Sequence, residues 1–328
     1  MAIERRAFGR TGLQIPALTL GGGWVGGIMI HQPEDVRREA LRRCLAAGVD
    51  WVDTAQSYGQ GQSETNLGRL LKELPATERP RISTKIGLKP EDMADPKAAV
   101  RRAIEASLER LGLDKVVVYQ LHNRIGTSDA GWISPYQMLR PGGIADAFAA
   151  VKEAGLTDHV GITALGDTDA VRDVIASGRF ESAQVYYNLL NPSAGVNVPA
   201  CYDSTDFRGL LAACAAHGLG VFGIRVMAGG VLASPAPHGR EVPITRNAGH
   251  DAEVARAAAA WAALGERDEP TAATAIRYAL AEPRISSAEF GAAELEHVDI
   301  ALAAGAAGPL EPAALATLSD LLDKGLAR

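Results

Sequence analysis

The sequence is short of cysteine: Cys44, Cys201 and Cys214 are the only three in 328 residues, an odd number with no CxxC spacing. Neither a disulfide framework nor a structural zinc site can be read from that, and no metal ligand set is expected. Cys44 and Cys214 sit in helical apolar patterns and are read as packing residues. Cys201 falls in a polar loop, with nothing around it that would make it a nucleophile. Long apolar runs are missing too. No stretch reaches the roughly 18 residues of a membrane span, and Met1-Ala2-Ile3-Glu4-Arg5-Arg6 lacks the apolar core of a signal peptide, so a cytoplasmic protein is expected. There is no excess of positive charge either: the net charge is −6, which gives no general attraction to nucleic acid or to an anionic membrane.

What the chain does have is alternation. Apolar residues make up 47% and charged residues 22% of the sequence, enough to bury a sizeable core. A short hairpin is expected at Phe8–Pro16, turning at Thr11-Gly12, with Pro16 arguing against a long buried strand. Strands are then expected at Leu18–Leu20, Val49–Asp53, Arg81–Lys85, Lys115–Leu121, His159–Thr163, Ser182–Tyr186, Gly220–Ile224 and Arg284–Glu289. Between and after them, helical spacing recurs over Pro33–Ala47, Ser63–Leu74, Pro96–Leu111, Ile144–Ala154, Asp169–Ala176, Phe207–His217, segments of Asp251–Ala281, and Leu295–Ala303, with Ala313–Leu322 as a tail helix. Unbroken alternation of this kind gives a parallel sheet with its helices outside. A doubly wound open sheet is the rival. Eight units, and no GxGxxG turn after the first strand, favour a closed (β/α)8 TIM barrel of α/β class with long loops at its C-terminal face. No repeat array or low-complexity linker divides the chain, so residues 1–328 are expected as a single barrel domain.

Three consecutive strands end on chemistry. Val49–Asp53 closes on Asp53, with Tyr58 five residues later; Arg81–Lys85 closes on Lys85; and Lys115–Leu121 is followed by His122. In a parallel barrel all three strand ends meet at one face. Taken singly, each has a plain alternative: a strand-end Asp is often a turn residue, a Lys is usually solvated, and a His is often structural.

Together with Phe8-Gly9-Arg10-Thr11-Gly12, Asp53-Thr54-Ala55, Tyr58-Gly59, Glu64-Thr65-Asn66-Leu67-Gly68, Ser83-Thr84-Lys85, Leu121-His122 and Gln184-Val185-Tyr186-Tyr187-Asn188-Leu189-Leu190, these residues make the chain resemble the aldo-keto reductases over nearly its whole length. The resemblance implies a (β/α)8 barrel that binds NAD or NADP without a Rossmann domain and interconverts carbonyls and alcohols. It also implies a catalytic tetrad of Asp53, Tyr58, Lys85 and His122. The chemistry fits those residue types. Hydride arriving at a carbonyl carbon leaves negative charge on oxygen, which needs a proton source in place. A phenol with a pKa of about 10 is a reluctant acid. Lys85 is expected to lower the Tyr58 pKa, Asp53 to orient the lysine, and His122 to donate to the same oxygen.

The resemblance is looser around the cofactor. Gln184 stands at the family's carboxamide-binding glutamine, but the Ser-Asn pair expected after the fifth barrel strand reads Thr163-Ala164, and the nicotinamide-stacking aromatic is replaced by Ile224. Gly229 and Gly230 are expected to bring backbone N–H groups to a pyrophosphate, with Arg225 adding charge. Gly291-Ala292-Ala293-Glu294 stands where many members carry a cation for the 2′-phosphate of NADP; Glu294 would repel that phosphate and accept a ribose hydroxyl, so NAD is expected over NADP. Trp24, Trp132 and Tyr136 are expected as aromatic walls for a small carbonyl compound or a sugar. The altered cofactor contacts leave a second reading, a reductase-like regulatory subunit that binds nucleotide with little turnover, and a third, a barrel lyase or isomerase using Lys85.

Overall fold

The computed structural model describes residues 3–129, 131–240, 242, 244–245 and 249–325; Met1, Ala2 and the last three positions of the expected domain lie outside these. The hairpin forms as expected, with β1 (Arg5–Ala7) antiparallel to β2 (Gln14–Pro16). Eight parallel strands then close into a barrel: β3 (Leu18–Gly21), β4 (Trp51–Asp53), β5 (Arg81–Ile86), β6 (Val116–Leu121), β7 (Thr157–Thr163), β8 (Ser182–Tyr186), β9 (Gly220–Ile224) and β10 (Ser287–Gly291), with β10 pairing back onto β3. Several expected boundaries shift by one to four residues, among them β4, which begins at Trp51 and not Val49, and the helix Leu210–Ala216, expected from Phe207. The last strand begins at Ser287, not Arg284: Arg284 and Ile285 belong to a turn in which the Ile285 amide donates to the Glu282 carbonyl at 3.1 Å, with Arg284 paired to the Glu282 carboxylate. The stretch Asp251–Ala281 is two helices, His250–Leu264 and Thr271–Leu280, broken by Gly265 and Pro270.

Side chains alternate along each strand, so one set fills the barrel in layers. The base is apolar: Trp51, Val118 and Phe222 meet Phe8 and Ile15 of the hairpin, which plugs the barrel from below. Above that base lies a hydroxyl and amide layer, in which Thr19 and Ser287 are hydrogen-bonded at 2.7 Å and Trp51 Nε1 donates to Ser83 Oγ at 3.2 Å. The top layer holds Asp53, Lys85, His122, Thr163, Gln184, Ile224 and Glu289 at the C-terminal strand ends. The other face of each strand, with residues such as Val52, Ile82, Val185 and Phe290, packs under the helices.

Gly9 shows how tightly the plug is seated. Its φ is +53°, and a Cβ there would lie 2.2 Å from the backbone nitrogen of Gly220. Gly9→Ala is therefore expected to lower stability by about 1–3 kcal/mol, measured as the shift in a urea unfolding curve; an unchanged midpoint would mean that the plug yields without cost. Cys44 and Cys214 are buried, and burial pushes both thiols up to about 12, which fits packing; Cys201 is exposed. Among the described residues no single helix is long and apolar enough to cross a membrane.

Candidate active site

The site is built from the top layer inward. Lys85, on β5, is fully buried, and its ammonium has three partners: the Asp53 carboxylate, the carbonyl of Thr54 at 2.8 Å, and the Tyr58 hydroxyl at 3.2 Å. Asp53, on the neighbouring β4, is fixed from below as well. Its Oδ1 accepts from Ser83 Oγ at 2.8 Å and from Gln184 Nε2 at 3.0 Å. The ion pair is thus buried and almost fully hydrogen-bonded, the condition under which a buried pair is tolerated. Burial is the largest single effect and pulls the Lys85 ammonium pKa down, but Asp53 first, with its neighbours in the cluster, raises it by more in sum, so the net shift is upward and the lysine stays charged.

Tyr58 is half-buried on the loop between β4 and the helix Gln62–Lys72. Its ring stands edge-on to His122 with centroids 5.5 Å apart, and Lys85 Nζ lies 4.7 Å from the Tyr58 ring centroid. The backbone of Gly23 closes over the phenol, where a Cβ would be 3.6 Å from Cζ. Lys85 lowers the Tyr58 pKa, as expected, but does not decide it. Burial is the larger effect, the charge of Asp53 opposes the lysine, as that of Glu289 does when it is ionised, and the phenol pKa ends above its ordinary value. Tyr58 therefore holds its proton at neutral pH.

His122 follows β6. Burial, with a contribution from the Lys85 charge, lowers its pKa to about 3, so the imidazole is neutral. Its Nδ1 lies 3.3 Å from Ser57 Oγ. A Ser57 hydroxyl donating to Nδ1 leaves the ring proton on Nε2, where it is available to an oxygen at the mouth. The four tetrad residues are thus brought together, as the spacing predicts.

The expected cofactor-side residues lie around this centre. Thr163, at the end of β7, is in register with Gln184 on β8, and its Oγ1 is buried without a hydrogen-bond partner. Ile224 is half-buried at the end of β9. Arg225 follows with φ +59°, its guanidinium turned back over Gly229 to donate to the Val242 carbonyl at 2.9 Å. Gly229 and Gly230 both have positive φ in a tight turn, 71° and 112°. The loop after β9 also reaches the loop after β3, where Arg240 Nε donates to the Val25 carbonyl at 3.0 Å, spanning the end of β10. Gly291 ends β10 against Gly26. Glu294 is exposed at the N-cap of the helix Leu295–Ala307, and its side chain bonds none of the helix amides.

The three aromatic expectations separate. Trp132 lines a cavity of about 680 Å³ between the loops after β6, β7 and β8, where its ring carries the Arg124 guanidinium 5.5 Å from its centroid. Trp24 is 45% exposed and stacks edge-on against His31. Tyr136 is 74% exposed and lines neither that cavity nor the smaller one beside Arg225. Tyr187, which the sequence left unassigned, is a core residue stacked on Tyr278. The sequence reading missed Glu289: Gln184 Nε2 donates to its carboxyl at 2.7 Å. The signal was there, since Glu289 is two residues beyond Ser287 on an inward-facing strand position.

Comparison with known proteins gives a consistent set. Residues 17–323 match the Aldo/keto reductase family. The chain is 29% identical to L-galactose dehydrogenase of Arabidopsis thaliana, covering 92% of this chain and 88% of that protein. It is 28% identical to D-threo-aldose 1-dehydrogenase of a Pseudomonas species, covering 72% and 73%. Among solved structures, the holo form of an aldo-keto reductase from Bacillus halodurans superposes with a TM-score of 0.73 at 22% identity, covering 98% of this chain and 96% of that one, a likeness of fold.

Proposed function

Because this chain belongs to the aldo/keto reductase family of oxidoreductases, we propose that it is a NAD(P)-dependent dehydrogenase that interconverts the hemiacetal of a small sugar with its lactone, or an alcohol with its carbonyl, with Tyr58 as acid and base. The observation that carries this reading is the placement of the Tyr58 hydroxyl 3.2 Å from a lysine that is itself held by a buried carboxylate. The names of the two sugar dehydrogenases support the substrate class.

A nicotinamide dinucleotide fits the groups left with bonding capacity. Thr163 Oγ1 is a buried hydroxyl lacking a partner, beside Gln184; both would hold the carboxamide. Arg225 uses one guanidinium nitrogen on Val242 and forms no ion pair among the described residues, leaving donors for a pyrophosphate beside the Gly229 and Gly230 turn. When bound, the cofactor supplies or takes the hydride. The protein's part is proton handling. In reduction, the neutral Tyr58 hydroxyl gives its proton to the carbonyl oxygen as charge develops there. Lys85 then faces the phenolate and stabilises it. In oxidation, Tyr58 must first be ionised, so the rate is expected to rise with pH toward the raised phenol pKa. Neutral His122, donating from Nε2, aligns the oxygen.

The test is a panel of aldoses and aldehydes assayed by nicotinamide absorbance with each cofactor. Oxidation or reduction of at least one of them supports the reading, whereas binding of NADH or NADPH without turnover of any would favour the regulatory-subunit reading. Glu294 supports NAD over NADP: an exposed carboxylate at a helix N-cap would oppose a 2′-phosphate and suit a hydroxyl. Glu294→Lys is expected to shift the NADPH-to-NADH affinity ratio about fivefold toward NADPH, the size of one exposed charge interaction. Tryptophan-fluorescence titration of both cofactors measures it, and an unchanged ratio would remove Glu294 from cofactor choice.

A further inference from the structure

Glu289, half-buried where the cluster opens at the top of the barrel, has no assigned task. It enters the barrel from β10, and the amide nitrogen of Gln184 donates both to its Oε1, at 2.7 Å, and to Asp53 Oδ1, at 3.0 Å. Two carboxyls therefore flank one NH2 group, and they differ in what else they receive. Asp53 also accepts from Ser83 and from the Lys85 ammonium, whereas Glu289 has no further hydrogen bond and no ion pair among the described residues. A half-buried carboxylate with one neutral donor is held less well than one with a cation and two donors. The negative charge accordingly belongs on Asp53 and the proton on Glu289. Burial, and then the charge of Asp53, push the Glu289 carboxyl well above its ordinary range, with Lys85 opposing.

We propose that Glu289 is a positioning residue held as a neutral acid: it anchors the Gln184 amide and leaves Asp53 as the single carboxylate opposite Lys85, so that the rest of the lysine's field falls on Tyr58. The inference rests on the reading of Tyr58 as the acid/base group. The ionisable groups that face Glu289 are Asp53, Lys85 and Tyr58. Its register partner on β3 is Thr19, and the flanking β9 ends in Ile224, neither of which titrates. Ionising Glu289 would add a second negative charge to the cluster and hold the proton on Tyr58 more firmly, the direction in which its charge acts.

Two variants test this. Glu289→Gln keeps the shape and a partner for Gln184 but cannot ionise; Glu289→Ala removes both. The first readout needs no turnover: thermal unfolding of cofactor-free wild type and Glu289→Gln between pH 5 and pH 9. A glutamate in the unfolded chain ionises near a pKa of about 4.3. Above that range the unfolded wild type gains by ionising while the fold does not, so wild-type stability falls as pH rises until the folded-state pKa is passed. The Tm advantage of Glu289→Gln is expected to widen by about 2 °C per pH unit over that window. A gap that does not change with pH overturns the proposal.

The second readout is the pH profile of the oxidation rate. Glu289→Gln is expected to reach its alkaline plateau at lower pH than wild type, because its cluster never gains the second charge. Glu289→Ala is expected to turn over at least tenfold more slowly than Glu289→Gln. Superimposable profiles, or a Glu289→Gln variant as slow as Glu289→Ala at pH 7, overturn the assignment. A protein that turns over no substrate in any form counts against the dehydrogenase reading; the unfolding gap then decides the Glu289 charge by itself.

Discussion

Tyr58→Phe is expected to lower kcat by roughly two to four orders of magnitude, the usual contribution of a positioned proton donor, while leaving cofactor affinity within a factor of about two. The phenol is the group at the mouth with both a proton to give and a cation beside it to accept the resulting charge, Lys85 Nζ at 3.2 Å. His122 does not replace it as an acid, since a pKa of about 3 leaves no proton to give from an imidazolium at neutral pH. Phenylalanine keeps the edge-on ring contact with His122 and the packing under Gly23, so a loss of activity would not be a loss of fold. Single-turnover absorbance with NADH in excess separates the chemical step from binding. Full activity in the phenylalanine variant would remove Tyr58 from the reaction and with it the proposed mechanism.

Lys85→Met is expected to strike stability and activity together. The lysine is fully buried, and removing it leaves the Asp53 carboxylate in the barrel without its counter-ion, a loss of about 3–5 kcal/mol. Adding Asp53→Asn removes the stranded charge. The double variant should therefore be more stable than Lys85→Met alone, because the two sites share one interaction and their effects do not add. Activity should not return with stability, since nothing then stabilises the Tyr58 phenolate. Urea unfolding and steady-state kinetics on the two single variants and the double one measure this. If stability is additive, the pair is not coupled as its geometry indicates. If activity returns with Asp53→Asn, Lys85 serves only to neutralise Asp53.

Much of the site was legible because a parallel barrel turns chain order into position. Asp53, Lys85 and His122 each stand at or just beyond the end of a strand, and parallel strands with outside crossovers bring such ends to one face whatever the loops do. Gln184 and Thr163 were picked out by the family resemblance, and the same strand geometry puts them in register beside each other. The substrate side was not, because a loop aromatic carries no period to say which way it faces. Trp132 turns into a cavity, Trp24 onto His31, and Tyr136 to solvent. The start of the last strand was obscured because Arg284 and Ile285 lie in a turn closed by the Ile285 amide on the Glu282 carbonyl, and a buried apolar turn residue such as Ile285 reads like a strand residue.

By itself, then, the sequence determined the alternation that closes the barrel, the hairpin that plugs it, and the common face to which Asp53, Lys85 and His122 are delivered, since strand periodicity and parallel order act along the chain. The tertiary structure alone decided the electrostatics. Closure lays β10 beside β3 and brings Glu289 within one amide of Asp53, although the two are far apart in sequence. Burial then outweighs the lysine and raises the Tyr58 pKa. Proton affinity is a sum over every charge and every displaced water around a group in space, and strand periodicity carries no information about that sum.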